Sequence, residues 1–189
     1  MDPRELYESC RETREELAYF MRRLYERGLT TCSGGNLSVR VGEEHVILTP
    51  SALDKGRITG DQIGLLTLEA ENLTPHLKVS MEARMHLRVY KARSDVRAVV
   101  HAHPVTASSF TAMSVDIDTT LTAEAYAVLG VPAKAPYALM GTDGLAERVA
   151  EAVVDADVVI LENHGILTVG STLLSAFDRL EVLEAAAKM

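Results

Sequence analysis

The run Ala98-Val99-Val100-His101-Ala102-His103-Pro104 predicts a buried strand with two histidines at its end. Its apolar residues predict a strand that is covered on both faces, and the proline ends it because proline has no amide donor. Residues two apart in a strand project to the same face, so the rings of His101 and His103 lie side by side. A second apolar run, 158–161, leads into Asn163-His164-Gly165.

Three of the six histidines are candidate ligands of a metal ion. If the two apolar strands are neighbours, His101, His103 and His164 converge and leave one coordination position open. Three imidazoles with an open position are typical of a catalytic Zn²⁺ site, although such a site accepts several divalent ions. The alternative for each histidine is a hydrogen-bonded structural residue near a strand end.

Glu82 is the candidate carboxylate of the same site. It follows Ser80 at the start of a predicted helix, where the positive end of the helix dipole favours an anion. Near a metal it can act as a fourth ligand or as a general base, and the alternative is an ordinary first-turn glutamate. His86, four residues later, imitates a helical metal pair with Glu82. His45 and His76 fall in hairpin or loop positions and are expected to be solvated.

The remaining apolar spacings predict helices and short strands in mixed order. The predicted helices cover residues 6–24, 81–92, 105–113, 123–129, 142–154 and 171–189, and the predicted strands cover residues 37–41, 45–49, 63–67, 98–103, 158–161 and 166–169. Gly28 is expected to end the first helix, and Leu174, Phe177 and Leu180 are expected to face inward in the last one. Because strict βαβ alternation is absent, we expect an α/β fold with three α/β/α layers around a mostly antiparallel sheet. The chain has no linker or repeat, so residues 1–189 are expected to form one domain.

Composition narrows the class of protein. The 27 acidic residues outnumber the 19 basic ones, and a net charge of −8 argues against nucleic acid or an anionic membrane as a partner. No apolar run approaches the roughly 20 residues of a membrane helix, and the first residues do not form a leader sequence. With two cysteines, Cys10 and Cys32, the chain is expected to be cytoplasmic with both thiols reduced.

Two polar loops complete the pattern. Ser33-Gly34-Gly35-Asn36 and Thr49-Pro50-Ser51-Ala52 offer N–H groups and hydroxyls that can hold a phosphate, although each alone is equally typical of a turn. In order along the chain, six landmarks resemble the class II aldolase family of the L-fuculose-1-phosphate aldolase type. These landmarks are Gly34–Arg40, Leu48–Ser51, Ser80–Glu82, His101–Pro104, Pro136-Tyr137 with Gly141-Thr142, and Asn163–Gly165.

The resemblance implies one Zn²⁺ per chain, bound by His101, His103 and His164. It implies that Glu82 ligates the metal in the resting site and acts as general base when substrate binds. It places the phosphate of a small phosphorylated sugar on Gly35, Asn36, Ser51, Ala52 and Ser80. It also implies a homotetramer with each active site at a subunit interface.

The reaction that the resemblance implies is the reversible cleavage of a ketose 1-phosphate, such as L-fuculose 1-phosphate, to dihydroxyacetone phosphate and an aldehyde. Two departures from the family pattern lie in the implied phosphate site. Met81 stands where many aldolases have a second serine, and Ala52 stands where they have glycine. A third is that the family's proton-donating tyrosine has no clear counterpart, although Thr122, Glu124 and Tyr126 fall near its place. The chain also ends before the family's C-terminal tail.

Other functions of the same fold stay open. A ribulose-phosphate 4-epimerase and a sugar-phosphate dehydratase are alternatives, although the epimerases resemble this pattern with Asp where Glu82 stands. A non-catalytic assembly module, as in the adducin head, has no need of three histidines and a glutamate together. A metal-dependent hydrolase would need a separate nucleophile or a second carboxylate cluster, and neither is evident in the sequence.

Overall fold

The computed structural model describes residues 2–189 and is built around one seven-stranded sheet. The strands are β1 (Asn36–Val41), β2 (His45–Leu48), β3 (Gly64–Thr67), β4 (Ala98–Ala102), β5 (Ala133–Ala135), β6 (Val158–Leu161) and β7 (Gly165–Gly170). Their order is β3-β2-β1-β4-β7-β6-β5, and all neighbours are antiparallel except β5 and β6. The predicted α/β fold with a mostly antiparallel sheet is therefore confirmed. That residues 1–189 form a single domain stays a prediction.

Residues 2–189 contain seven α-helices. They are α1 (Pro3–Ser9), α2 (Arg11–Glu26), α3 (Ala83–Ala92), α4 (Val105–Phe110), α5 (Ala123–Leu129), α6 (Asp143–Ala152) and α7 (Leu173–Lys188). Within residues 2–189, none of these helices has both the length and the apolar character needed to cross a lipid bilayer.

The alternation of side chains along β4 divides the core into two layers. Val99 packs with residues of α3 and α6, whereas Val100 and Ala102 pack on the opposite face with residues of α2 and α7. His101 is two residues beyond Val99, so it lies on the face that α3 covers. The period of two along β4 thus places the histidines opposite the start of α3.

His164 reaches the site by a different route from the one expected. The two apolar strands β4 and β6 are not neighbours, because β7 lies between them and pairs with both. His164 lies in the tight turn from β6 to β7, where Asn163 takes a left-handed φ of +53°. Pairing of Ala102 with Ile166 sets this turn level with the end of β4. The β6–β7 hairpin, rather than direct pairing of β4 with β6, brings the imidazole of His164 close to His101 and His103.

Two helix predictions need correction. The single N-terminal helix is broken at Cys10 into α1 and α2, although Gly28, with a φ of +68°, follows the end of α2 as predicted. In α7 the expected inward residue Leu174 is 57% exposed, whereas Leu173 is buried. Leu173 lies four residues before the buried Phe177 and Leu174 three, so spacing alone did not tell which of them faces inward. The helix begins at Leu173 with Thr172, not Ser171, as its N-cap. The short edge strand β5 was not predicted.

Candidate metal centre

The imidazoles of His101, His103 and His164 meet at the carboxyl end of β4. Their ring centroids are 4.8 Å apart for His101 with His103, 4.8 Å for His101 with His164 and 5.6 Å for His103 with His164. One ring nitrogen from each residue lies within 4.8 Å of the other two. The structure therefore brings together the three histidines that the sequence singled out, as a group able to hold one metal ion.

Glu82 faces the same point from the N-terminal end of α3. Its Oε2 lies 3.4 Å from Nε2 of His101 and its Oε1 lies 3.2 Å from Nε2 of His164. Although Glu82 occupies the N-cap position, its side chain makes no capping hydrogen bond, and the residue is buried. The carboxylate is thus directed at the histidines instead of at its own helix.

Several polar atoms at this point are buried without a hydrogen-bond partner, namely Oε1 of Glu82, Nε2 of His101 and both ring nitrogens of His164. An unpaired buried polar atom costs about 1–3 kcal/mol, and a cation would satisfy all of these atoms except one nitrogen of His164. His101 Nδ1 donates to the carbonyl oxygen of Ile166 at 2.9 Å, which leaves the lone pair of Nε2 directed into the site. This donor set fits a divalent ion such as Zn²⁺.

The electrostatics favour neutral rings around an ionised carboxylate. Burial lowers the pKa of His101, and burial together with the neighbouring histidines lowers the pKa of His103 to about 4. Both rings are therefore neutral at pH 7, the form in which imidazole binds metals. Burial alone would raise the pKa of Glu82, but the neighbouring His101 and His164 and the hydrogen bond from Asn36 outweigh burial and lower it.

Two glycines allow the backbone to approach the ligands closely. A Cβ at Gly165 would lie 2.5 Å from Cδ2 of His103, inside van der Waals contact. A Cβ at Gly35, where φ is +66°, would lie 2.8 Å from the carbonyl oxygen of His101. Any side chain at either position would push against a predicted ligand, so both glycines shape the site.

The residues predicted to bind phosphate fall into two groups. Ser51 Oγ accepts a hydrogen bond from the N–H of Met81 at 3.2 Å, and Ser80 Oγ accepts one from the N–H of Glu82 at 3.3 Å. These contacts bring the Ser51 loop to the segment that carries Glu82. Ala52 in that loop has a left-handed φ of +57°. Binding of phosphate by this group stays a prediction.

Asn36 and Gly35 form the second group, and the side chain of Asn36 has other partners. Its Nδ2 donates to Oε2 of Glu82 at 2.7 Å, and its Oδ1 lies 2.5 Å from Nε2 of His86. The amide thus contacts the predicted catalytic carboxylate directly. The interpretation of Asn36 as a phosphate ligand did not anticipate this arrangement, and that role stays a prediction.

His86 is not part of the histidine cluster. It is fully buried, both ring nitrogens are hydrogen-bonded, and burial lowers its pKa to about 3. The spacing of four from Glu82 to His86 and again to Tyr90 marks one helix face, and this signal could have revealed a buried polar row. His76 is exposed and His45 is partly exposed, close to expectation.

The region near the family's tyrosine contains no buried replacement. Thr122 caps α5 by accepting a hydrogen bond from the N–H of Ala125 at 3.1 Å, so its hydroxyl has a structural partner. Glu124 is exposed and Tyr126 is 67% exposed. None of the three is assigned to proton transfer on these positions.

Comparison with known proteins agrees with the site. Residues 15–189 match the model of the family described as the Class II Aldolase and Adducin N-terminal domain. The chain belongs to this class II aldolase family. It is 33% identical over 168 residues to an L-fuculose phosphate aldolase of Methanocaldococcus jannaschii, covering 89% of this chain and 90% of that protein.

Other members of the class II aldolase family differ in reaction. A 3-oxo-tetronate 4-phosphate decarboxylase of Haemophilus influenzae is 32% identical over 181 residues, covering 93% of this chain and 85% of that protein. A solved structure of an L-fuculose 1-phosphate aldolase superposes with a TM-score of 0.83 at 33% identity, covering 94% of this chain and 84% of that one. The class II aldolase described here is a metal-dependent lyase, and its relatives do not agree on one substrate.

Proposed function

We propose that the protein is a zinc-dependent aldolase that cleaves a ketose 1-phosphate, similar to L-fuculose 1-phosphate, to dihydroxyacetone phosphate and an aldehyde. The observation that carries the proposal is the buried carboxylate of Glu82 facing His101, His103 and His164. The sequence similarity to L-fuculose phosphate aldolases supports the substrate class.

The three imidazoles would hold one Zn²⁺ per chain through their neutral nitrogens. When bound, the ion supplies Lewis-acid stabilisation of the negative charge that develops on the substrate carbonyl oxygen. Glu82 would move the proton at the carbon next to that carbonyl, because its ionised oxygens lie beside the ligand nitrogens. The lowered pKa of Glu82 keeps its carboxylate charged at neutral pH, which is the form that accepts a proton.

The phosphate of the substrate is proposed to bind the predicted set, which consists of Gly35, Asn36, Ser51, Ala52 and Ser80. Support comes from the contact between Ser51 Oγ and the N–H of Met81, which joins two of the loops next to Glu82. A phosphate held there would orient the reacting carbons toward the histidines, and such positioning lowers the entropy cost of reaction.

Decarboxylation of a 3-oxo-tetronate 4-phosphate is the second candidate, because one relative has that activity. Loss of CO₂ from this β-keto acid leaves the same enediolate as aldol cleavage, and protonation then yields dihydroxyacetone phosphate. Carbon dioxide leaves without exchanging a proton with the enzyme. The lack of a clear counterpart of the family's tyrosine is compatible with such a leaving group.

One assay separates the two candidates. Purified protein is given L-fuculose 1-phosphate or 3-oxo-tetronate 4-phosphate, and dihydroxyacetone phosphate, aldehyde and CO₂ are measured with chelator and after zinc is restored. Aldehyde that depends on zinc supports the aldolase, and CO₂ supports the decarboxylase. Glu82→Gln should retain zinc and lose turnover, whereas the exposed Glu71→Gln should keep both. Zinc-loaded protein that releases neither product would contradict both candidates.

We also propose a homotetramer with active sites at subunit interfaces, in the cytoplasm. Support for assembly comes from eight large apolar side chains that are exposed between residues 113 and 140, on the segments around β5. They are Met113, Val115, Leu121, Tyr126, Val131, Tyr137, Leu139 and Met140. Contiguous exposed apolar surface marks protein interfaces. Light scattering should give four times the chain mass of 20.6 kDa, and a monomer would contradict the proposal.

A further inference from the structure

We propose that His86 is a positioning residue for Glu82, acting through the amide of Asn36. The inference deepens the proposed function and depends on it only for the role of Glu82. It is based on a buried row of hydrogen bonds that runs from β1 and α3 to the carboxylate. The row begins at Tyr90, passes through Ser38, His86 and Asn36, and ends at Glu82.

Each link of the row is short. The hydroxyls of Tyr90 and Ser38 are 2.8 Å apart, and Ser38 Oγ lies 2.7 Å from Nδ1 of His86. His86 Nε2 lies 2.5 Å from Oδ1 of Asn36, whose Nδ2 lies 2.7 Å from Oε2 of Glu82. Ser38 and His86 are fully buried, and Asn36 and Tyr90 nearly so. Water does not compete for these groups, so every donor and acceptor depends on its neighbour.

The negative charge of Glu82 determines which group donates in every hydrogen bond of the row. An ionised carboxylate only accepts hydrogen bonds, so Asn36 must present its NH₂ to Glu82 and its oxygen to His86. A neutral imidazole has one N–H, and the oxygen of Asn36 requires it at Nε2. Nδ1 of His86 then accepts from Ser38, and Ser38 accepts from Tyr90. All donors point toward Glu82.

The opposite orientation of the Asn36 amide is excluded by the same row. It would place the amide oxygen against the carboxylate oxygen of Glu82, so that two acceptors would meet at 2.7 Å. It would also turn the NH₂ toward the N–H of His86. The Nε2–H of His86 therefore holds the amide in the orientation that donates to Glu82. Without it, the buried oxygen of Asn36 has no donor and the amide is held only from the side of Glu82, so the carboxylate has a less firmly fixed partner.

The expected effect is on catalysis more than on substrate binding. Removing the outer partner of an active-site ligand typically costs about 10- to 100-fold in activity or metal affinity. We expect His86→Leu to lower kcat by about that factor with little change in KM. His86→Gln places an amide donor near the former Nε2 and should recover most of the loss. Recovery by a donor of different shape would show that the hydrogen bond, not the ring, is required.

Thr168→Val is the matched control for general destabilisation. Thr168 is fully buried, donates to the carbonyl oxygen of Ala176 at 2.6 Å and shares no hydrogen bond with the row. This variant loses one buried hydrogen bond and His86→Leu loses two, so urea unfolding should show a loss of stability in both. Only His86→Leu should lose turnover. Equal turnover in the two variants would overturn the inference.

A second measurement needs neither substrate nor metal. Long-range ¹H–¹⁵N NMR of the metal-free protein reports which ring nitrogen of His86 carries the proton. The inference requires a proton on Nε2 and none on Nδ1, and the opposite tautomer would overturn it. Absence of turnover with every sugar phosphate, together with the expected tautomer, would instead count against the proposed function. The two proposals thus fail in different experiments.

Discussion

Gly35→Ala adds one methyl group where the Gly34-Gly35 turn meets the metal centre. The backbone of Gly35 has a φ of +66°, and the new Cβ would lie 2.8 Å from the carbonyl oxygen of His101. That oxygen belongs to the central strand β4, so it cannot swing away as the end of a side chain would. The strain can be relieved only by moving the turn or by moving His101.

The loss of stability expected for Gly35→Ala has two parts, one from the backbone conformation and one from the close contact. A left-handed conformation costs an alanine about 1–2 kcal/mol, and overpacking of a tight contact costs about 1–3 kcal/mol, for a total of about 2–5 kcal/mol. Gly42→Ala isolates the first part, because Gly42 has a φ of +61° and no atom within 4 Å of its Cβ position. The free energy of unfolding of Gly35→Ala should therefore fall about 1–3 kcal/mol further than that of Gly42→Ala.

The assay is urea unfolding of metal-free protein, in which ligand binding does not contribute. Zinc titration of the folded variants then reports on the site. Gly35→Ala should bind zinc more weakly because relief of the contact moves either His101 or the turn that carries Asn36, the partner of Glu82. Gly28→Ala, with a φ of +68° and an equally open Cβ position, serves as a second control. If Gly35→Ala loses no more stability than the controls, the close approach of the turn to β4 is refuted.

Three further predictions follow from buried charges and the metal site. With free zinc at 100 times Kd, bound metal should raise the free energy of unfolding by about 2.7 kcal/mol, and a chelator should remove this gain. A thermal unfolding transition that the chelator leaves unchanged in calorimetry would contradict the metal site. The carboxylate of Glu184 accepts hydrogen bonds from the N–H groups of Thr106 and Ala107. Burial alone would raise the pKa of Glu184, but these bonds outweigh burial and lower it. The ionised carboxylate therefore stabilises the fold at neutral pH, and this contribution is lost as the pH falls through the pKa of the folded state. Glu184→Gln should therefore cost about 1–3 kcal/mol at pH 7 and less at acid pH, and an equal cost at both would refute this assignment. Burial lowers the pKa of Lys55 to about 8. Between pH 8 and about 10 the unfolded chain keeps the proton of this lysine while the folded chain loses it, so the free energy of unfolding should rise with pH. Lys55→Met should flatten this rise when urea unfolding is measured across the same pH range.

The sequence predicted the features that depend on near neighbours along the chain. The strand around His101 and His103 follows from its apolar run and its proline, and their common face follows from the period of two. The end of α2 next to Gly28 follows from the freedom of glycine at positive φ. The prediction of the α1–α2 helix failed at Cys10, since continuous amphipathic spacing does not reveal a break within it. In α7 the prediction placed Leu174 inward in place of Leu173, because the two lie three and four residues before the buried Phe177 and both spacings fit one helix face.

The tertiary structure decided which of these features meet. His164 joins the other two histidines because β7 folds back between β6 and β4, and no local pattern states the order of strands in a sheet. Asn36 and Ser38 share one face of β1 by their spacing, as Glu82, His86 and Tyr90 share one face of α3. That these two faces pack together, and turn Asn36 toward Glu82, depends on burying both in the same layer of the core. Local periodicity sets the direction of a side chain, whereas its partner is set by how all the apolar faces are buried at once.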